Sequence, residues 1–433
     1  MRRLLPAAMA GLCAVVLGVT ACSSNSSSSG STSSSASSTS SASSAPVQGI
    51  SGDTIKVGGL FSSTSNAGAE DGFNARIDRA NKDGELGKYK IQLVGMDDDG
   101  DNPATNLSDA QSLVDRQGVY AIAPVVTTSF TSSTASFLQQ KGIPYFGAGF
   151  TNGFCLPYTG GLSQIGCAIG GSYVNNIAVG QVASAIGKPV NKLKWAFVGL
   201  DIPSGTQADN AYGDAVKLAG GTVVYNQAVI PLTTGNLAPI VNAVEATHPD
   251  VVWIVAGSQS IAMKTAFKSS GYTGSLVDSS DYAPGLLKES PAVAAALNGT
   301  YIAATFPVIE ENTPYVQQMV KDYQASGKSL ADITFGGEYA YMTADDMIGL
   351  LKKIAPNFGA VESTLKSGFS YAPATGGIPI SYPFMFDAPT NCGSTLKVVN
   401  GTYVAAAPWA CSDNYINISG GGAKPTTAPS LAS

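Results

Sequence analysis

Charge is scarce in this 433-residue chain: only 12% of residues are charged, 24 Lys and Arg against 30 Asp and Glu. A soluble domain ordinarily carries about 25%. No basic stripe is present, which excludes the clustered cations that nucleic-acid binding uses to displace phosphate counterions. Histidine is almost missing. His248 alone cannot build a multi-histidine metal site. A hydrolase would pair it with a nucleophile, and no G-x-S-x-G elbow is present. His248 precedes Pro249 at a helix-to-strand turn and reads as a surface residue. What fills the deficit is Gly, Ser and Thr, with 49 Gly. The 44% hydrophobic content is too high for general disorder, and at roughly 150 residues per domain the length suggests two domains once tails are set aside.

The N-terminal segment reads as targeting sequence. Arg2 and Arg3 precede an apolar run, Leu4 to Val19, that is short for a membrane span. Val19-Thr20-Ala21-Cys22 then resembles the lipobox of bacterial lipoproteins, which implies cleavage before Cys22 and acylation of its thiol. The expected signal peptide is 1–21. From Ser23 to Pro46 the chain is mostly serine, with nothing to bury, so 22–52 is expected to be a disordered tether with a reach of roughly 25–30 Å. The C-terminal 419–433, rich in Gly, Pro, Ser and Thr, is expected to fray.

Six cysteines are present. With Cys13 in the signal and Cys22 as lipid site, Cys155, Cys167, Cys392 and Cys411 remain. Four cysteines in an exported chain suggest two disulfides, with three possible connectivities. Sequence neighbours favour Cys155–Cys167 and Cys392–Cys411, each closing a short surface loop. Zinc is the rival, but no pair has C-x-x-C spacing. No metal or cofactor is expected. Asp97, Asp99 and Asp101 resemble the start of an EF-hand loop, yet Asn102 stands where its glycine belongs and Ser108 where its glutamate belongs.

The body alternates short apolar runs with helical stretches. Strands are predicted at 54–61, 90–96, 120–126 and 144–150, with helices at 67–83, 103–117 and 131–141. Asn102-Pro103 supplies a cap and a first-turn proline. The pattern repeats, with strands at 195–201, 222–230, 251–256, 275–278 and 301–306. Helices follow at 206–219, 236–247, 260–270, 313–326 and 337–354. Near-continuous apolar runs mark strands buried on both faces, and the β-α-β order gives parallel sheets with right-handed crossovers. The fold class is therefore α/β, with two lobes, each a mainly parallel sheet carrying helices on both faces. From Tyr371 onward, 378–387, 396–399 and 403–406 read as short antiparallel strands, with a hairpin turn at Asn400-Gly401. Trp195 and Trp253 read as core, and Trp409 as a shield beside Cys411.

At this level the chain resembles a type I periplasmic solute-binding protein of the branched-chain amino-acid (Leu/Ile/Val-binding) family of ABC transporters. The resemblance covers Asp53–Tyr403. It rests on Ile55-Lys56-Val57-Gly58-Gly59-Leu60-Phe61, on Asp97-Asp98-Asp99 leading to Asn102-Pro103, and on Ala123-Pro124-Val125-Val126-Thr127-Thr128-Ser129. Gly142-Ile143-Pro144-Tyr145-Phe146-Gly147-Ala148-Gly149 and Pro249-Asp250-Val251-Val252-Trp253 with Ser270-Gly271-Tyr272 add to it. The resemblance implies interleaved lobes, 53–165 plus 307–356 and 166–306 plus 358–418, joined by three crossings. It implies closure around a small solute and delivery to permease and ATPase subunits, with no catalysis. With the lipobox, the chain reads as a monomeric, lipid-anchored, extracytoplasmic form. A sensor of the same fold, without transport, is the alternative.

Ligands of such sheets bind beyond the strands' carboxyl ends. Thr127, Thr128 and Ser129 end a strand just before a helix, where amides and hydroxyls suit an anion. The resemblance implies that this turn holds a ligand carboxylate, together with Ala148, Gly149, Phe150 and Thr151 at the next strand end. There small residues allow close backbone approach, and Phe150 could wall the pocket. Phe61 and Ser62 end the first strand and are expected to line the cleft. In the second lobe Ser204-Gly205 falls where the family often has an aromatic residue, a departure from its pattern, and Tyr212 is placed on the helix that follows. Asp281-Tyr282 matches the loop whose acidic residue in the family pairs with the ligand's ammonium.

Overall fold

The computed structural model describes residues 46–233, 235–412, 414–418 and 424–427. The expected signal peptide, Cys22 and most of the serine tether lie outside them. Order begins inside the expected tether. Ile50–Ser51 (β1) pairs antiparallel with the start of Thr54–Phe61 (β2), and the Gln48 amide donates to the carbonyls of Val114 and Val119 at 3.1 Å each.

The first sheet continues with Lys90–Asp98 (β3), Ala121–Val126 (β4), Tyr145–Gly147 (β5) and Gly161–Ser163 (β6). β2 lies between β3 and β4; β5 pairs with β4 and β6 with β5, all parallel. Every residue of β4 is buried, as a strand covered on both faces requires. The connecting helices are Ala69–Asp83 (α1), Pro103–Gln111 (α2) and Ser132–Lys141 (α3). The expected cap of α2 is present: the Asn102 side chain accepts from the amides of Ala104 and Thr105. The helix gives way at Ser112 to a wider π-turn, Ser112–Arg116, rather than running on to residue 117.

After Tyr173–Val174 (β7), the second sheet takes the same winding. Lys194–Leu200 (β8), Thr222–Ile230 (β9), Val251–Val255 (β10), Ser275–Asp278 (β11) and Tyr301–Ala304 (β12) lie in the order β9-β8-β10-β11-β12, all parallel. Their helices are Ile177–Ile186 (α4), Pro203–Leu218 (α5), Ala238–Glu245 (α6), Ser260–Ser270 (α7), Leu286–Glu289 (α8) and Pro291–Leu297 (α9). Trp195 and Trp253 are fully buried, and Tyr212 of α5 stacks on Trp253 at 4.5 Å. Truncating a buried aromatic of this kind costs about 3–5 kcal/mol.

The chain then returns to the first sheet. Pro314–Ala325 (α10) and Phe335–Ile354 (α11) pack on α1. Arg76 of α1 reaches Asp345 of α11 at 2.5 Å and Glu85 at 2.8 Å. Here the structure corrects the expected lobe boundary at residue 357. Val361–Ser367 (α12) and the hairpin of Phe369–Tyr371 (β13) with Ile380–Tyr382 (β14) also belong to the first lobe. The Tyr120 hydroxyl donates to the Phe358 carbonyl at 2.8 Å, and the Tyr382 hydroxyl accepts from the Ser163 amide at 2.8 Å. Phe358, Phe369, Ile380, Tyr382 and Phe386 share its apolar core.

Only after Phe386 does the chain cross again. Cys392–Val399 (β15) and Thr402–Cys411 (β16) add antiparallel strands beyond β12. Asn414–Asn417 (β17) pairs with β7 and with Lys424–Thr427 (β18), so part of the tail expected to fray is a strand.

Both disulfides take the expected pairing, Cys155–Cys167 and Cys392–Cys411. The first is not a surface clip: both of its cysteines are buried, and it closes the 12-residue loop that leads into the first crossing, beside the third. The Cys167 amide donates to the carbonyls of Met385 at 2.9 Å and Ala388 at 3.0 Å. Gly166, bridged to Pro389, sits at φ 64°. A β-carbon there would lie 2.3 Å from the Ala388 carbonyl oxygen. Only glycine lets the two crossings run this close.

Candidate functional site

Each sheet has one position where consecutive connections leave in opposite directions. In the first lobe it falls between β2 and β4, in the second between β8 and β10. Sheets of this kind bind their ligands beyond the carboxyl ends of the strands at such a switch point. The two switch points face each other. Gly257 follows β10, and a β-carbon built on it would lie 3.9 Å from the Ser65 β-carbon, beyond β2.

The first-lobe half of the site is a layered polar network. Ser62 is fully buried, and its carbonyl accepts the Asn66 amide at 2.8 Å. Phe61, half-buried, accepts the Asp99 amide on its carbonyl at 2.9 Å. Beneath them Thr134 of α3 donates to Asn106 at 2.8 Å, and Asn106 donates to Asp99 at 2.8 Å. Burial raises the Asp99 carboxyl to about 6 against the hydrogen bonds from Asn106 and Thr127. Thr127 also accepts the Ser129 amide at 3.1 Å. The turn at Thr127–Ser129 is thus fixed from below, and α3 begins after it with no side chain capping its first amides. Such amides suit an anion.

The next loop is organised differently from expectation. Gly149 stands at φ 65°, but the space of its missing side chain belongs to the protein: a β-carbon there would lie 2.3 Å from Ser163 Oγ and 2.5 Å from the Gly166 carbonyl. Ala148 is buried, its amide on the Val125 carbonyl. Thr151 is buried and donates to the Phe130 carbonyl at the entry to α3. Phe150 is half-buried and does form a wall. It stacks with Phe335 at 6.0 Å and meets Tyr339 edge-on at 4.8 Å. Tyr339 in turn is bonded to Thr305 beside the second crossing. Burial keeps its hydroxyl above the ordinary tyrosine range; the Thr305 bond opposes this, and Tyr212 of the second lobe adds to it.

In the second lobe Ser204 and Gly205 open α5. A β-carbon on Gly205 would strike the Leu200 carbonyl at 2.2 Å, so the helix starts directly on the strand end, with no capping side chain at Ile202. The turn after β10 was missed by sequence reasoning: Gly257 is at φ 46°, and among the described residues the hydroxyl of fully buried Ser260 has no hydrogen-bond partner. A run of Gly, Ser and Gln after an apolar strand is the signal that could have found it. Phe335 and Tyr339 were missed because they lie at the start of a helix whose other apolar positions are core.

Asp281 does not stand free for a ligand. It is 6% exposed and ion-paired at 2.9 Å with Lys264, which is fully buried and also pairs with Asp278. Burial lowers the Lys264 ammonium, and Asp281 opposes that shift. Tyr282 is likewise internal, donating to Glu310 at 2.7 Å and accepting the Ile309 amide at 2.9 Å beside the second crossing. His248 is exposed, as expected, and stands at φ 51°. Among the described residues no three His, Cys, Asp or Glu side chains gather as a metal-holding group, and no helix is long and apolar enough to cross a membrane. A recess of about 340 Å³ lined by Tyr173, Ser381, Tyr382, Pro383, Phe384 and Asp387 shares no residue with either switch point.

Two like-wound lobes that cross three times and face each other at their switch points define a two-lobed solute-binding protein. The sequence profile of the periplasmic binding protein family matches residues 54–381, and the chain belongs to that family. It is a periplasmic solute-binding protein, not an enzyme. It is 25% identical over 301 residues to a Leu/Ile/Val-binding protein homolog of Brucella melitensis, covering 67% of this chain and 73% of that one. Three solved structures share the fold. A solute-binding protein of R. palustris in complex with 4-hydroxybenzoate has a TM-score of 0.65 at 19% identity, covering 83% of this chain and 98% of that one. A substrate-binding protein of Aeropyrum pernix has a TM-score of 0.68 at 17% identity, covering 83% and 96%. A branched-chain amino-acid ABC transporter protein of Thermus thermophilus with bound valine has a TM-score of 0.64 at 16% identity, covering 84% and 98%.

Proposed function

We propose that the chain is an extracytoplasmic lipoprotein that captures a small polar solute between its lobes and delivers it to a membrane permease. Among amino acids and related carboxylates and amides, it favours carboxylates without an ammonium group. The observation that carries the preference is the Asp281–Lys264 pair. A zwitterionic amino acid needs a buried carboxylate with charge to spare, and Asp281 has its cation inside the protein. The anion side keeps its supports, the Thr127–Ser129 turn and the uncapped start of α3. Phe150 and Phe335 offer an apolar wall for the rest of the solute. Proteins of this fold hold both kinds of ligand, 4-hydroxybenzoate in one and valine in another.

Anchoring rests on Cys22 and its lipobox, with the serine tether holding the body off the membrane. A Cys22→Ser chain should leave the membrane fraction; retention there would contradict the anchor. Delivery is tested with the cognate permease and ATPase in vesicles. Solute-loaded protein should stimulate ATP hydrolysis and uptake. Binding without either would favour the sensor.

A further inference from the structure

We infer that Asp101 is a positioning residue that ties the anion-binding turn of the first lobe to the segment of that lobe that faces Gly257 of the second. The inference rests on the solute-binding reading of the cleft. Asp101 lies just beyond β3, in the left-handed region at φ 58°, where a non-glycine residue is strained. Its amide donates to Asp99 Oδ1 at 2.9 Å, which holds it there. A single oxygen, Asp101 Oδ1, accepts two hydroxyls: Ser65 Oγ at 3.0 Å and Thr128 Oγ1 at 3.2 Å. Ser65 follows β2 and faces Gly257 of the second lobe, where a β-carbon, which the glycine lacks, would lie 3.9 Å from the Ser65 β-carbon. Thr128 follows β4, within the turn assigned to the anion.

One carboxylate oxygen thus joins the ends of three neighbouring strands. It links the residue that faces the second lobe to the anion turn. Ser65 is itself steadied from the other side, its hydroxyl accepting the Asn66 amide at 2.8 Å. Movement of Thr128 on solute entry is carried through Asp101 to Ser65, and from Ser65 to Gly257. Removing the carboxylate releases both hydroxyls. An amide oxygen in its place still accepts them.

The test compares Asp101→Ala and Asp101→Asn in the full body, using hydrogen exchange without ligand and titration with 4-hydroxybenzoate. In the alanine variant, exchange should rise at least tenfold at 62–68, at 127–131 and, across the cleft, at 256–260. The asparagine variant should match the parent at all three. Affinity for 4-hydroxybenzoate should fall at least tenfold in the alanine variant and stay within about threefold in the asparagine variant. Unchanged exchange at 256–260 in the alanine variant would overturn the inference, as would an asparagine variant that behaves like alanine. Should the alanine variant fail to fold, Ser65→Ala and Thr128→Val each cut the link. Each should then raise exchange in the other residue's segment, and no such rise overturns the coupling. If the parent does not bind 4-hydroxybenzoate, the solute preference is wrong, and the exchange arm still decides the role of Asp101.

Discussion

Lys264 and Asp281 form an ion pair at 2.9 Å in the interior of the second lobe, the lysine fully buried and the aspartate 6% exposed. Asp278, also fully buried, shares the same ammonium. Removing one partner of a buried pair costs about 3–5 kcal/mol, because the other charge stays unpaired. Lys264→Met, which leaves two carboxylates without their cation, should therefore lower the unfolding free energy by at least that amount in denaturant titration. A loss under about 1 kcal/mol would contradict the pairing. Asp281→Asn should weaken stability while leaving the affinity for L-valine within threefold. A drop well beyond tenfold in that affinity would return Asp281 to the role of ammonium ligand.

Asp209 of α5 should make stability depend on pH. It is 1% exposed, and burial raises it to about 7 against the hydrogen bond from the Gly199 amide. A carboxyl raised in the folded state binds its proton more tightly there than in the unfolded chain. Its stabilising contribution is complete below about pH 4 and is lost as pH rises through about 7. At 1.36 kcal/mol per unit the loss is about 4 kcal/mol. Asp209→Asn should flatten this part of the profile. Relative to the parent it should gain about that much between pH 4 and pH 8. Parallel stability profiles for the two proteins would refute the assignment.

Gly166→Ala tests the hinge. Its β-carbon would meet the Ala388 carbonyl at 2.3 Å, whereas Gly87, at nearly the same φ, has nothing within 4 Å of that position. Both substitutions carry the cost of a left-handed alanine, about 1 kcal/mol. Only Gly166→Ala adds a backbone collision, so its stability loss should exceed that of Gly87→Ala by more than about 1 kcal/mol. Equal losses would mean that the two crossings separate freely at this point.

Much of the architecture is legible in the sequence because buried parallel strands leave continuous apolar runs. Ala121–Val126 and Val251–Val255 announce themselves this way, and Asn102-Pro103 marks a helix start through its own local chemistry. The third crossing is not legible. Residues 378–387 read as the same antiparallel texture as β15 and β16, and only tertiary contacts, such as Tyr382 on Ser163, decide which lobe they join. The site divides along the same line. The Thr127–Ser129 turn is visible because a hydroxyl run between a strand and a helix has few other uses. Asp281 misleads because it lies in a loop and its partner lies 17 residues earlier, on α7. Gly149 misleads because a glycine that admits a ligand and one that admits Ser163 look alike in sequence. Asp101 is hidden because its partners, Ser65 and Thr128, come from two other loops.

The most direct measurement is the unfolding transition of the purified body, in the presence of a panel of carboxylates, amides, amino acids and sugars. A ligand that binds only the folded state adds about 2.7 kcal/mol at one hundred times its dissociation constant. The account predicts saturable stabilisation of this size by at least one carboxylate without an ammonium group, such as 4-hydroxybenzoate, and a weaker response to L-valine. No stabilisation by any member of the panel would contradict capture of a small solute. A response confined to amino acids would contradict the preference drawn from Lys264 and Asp281.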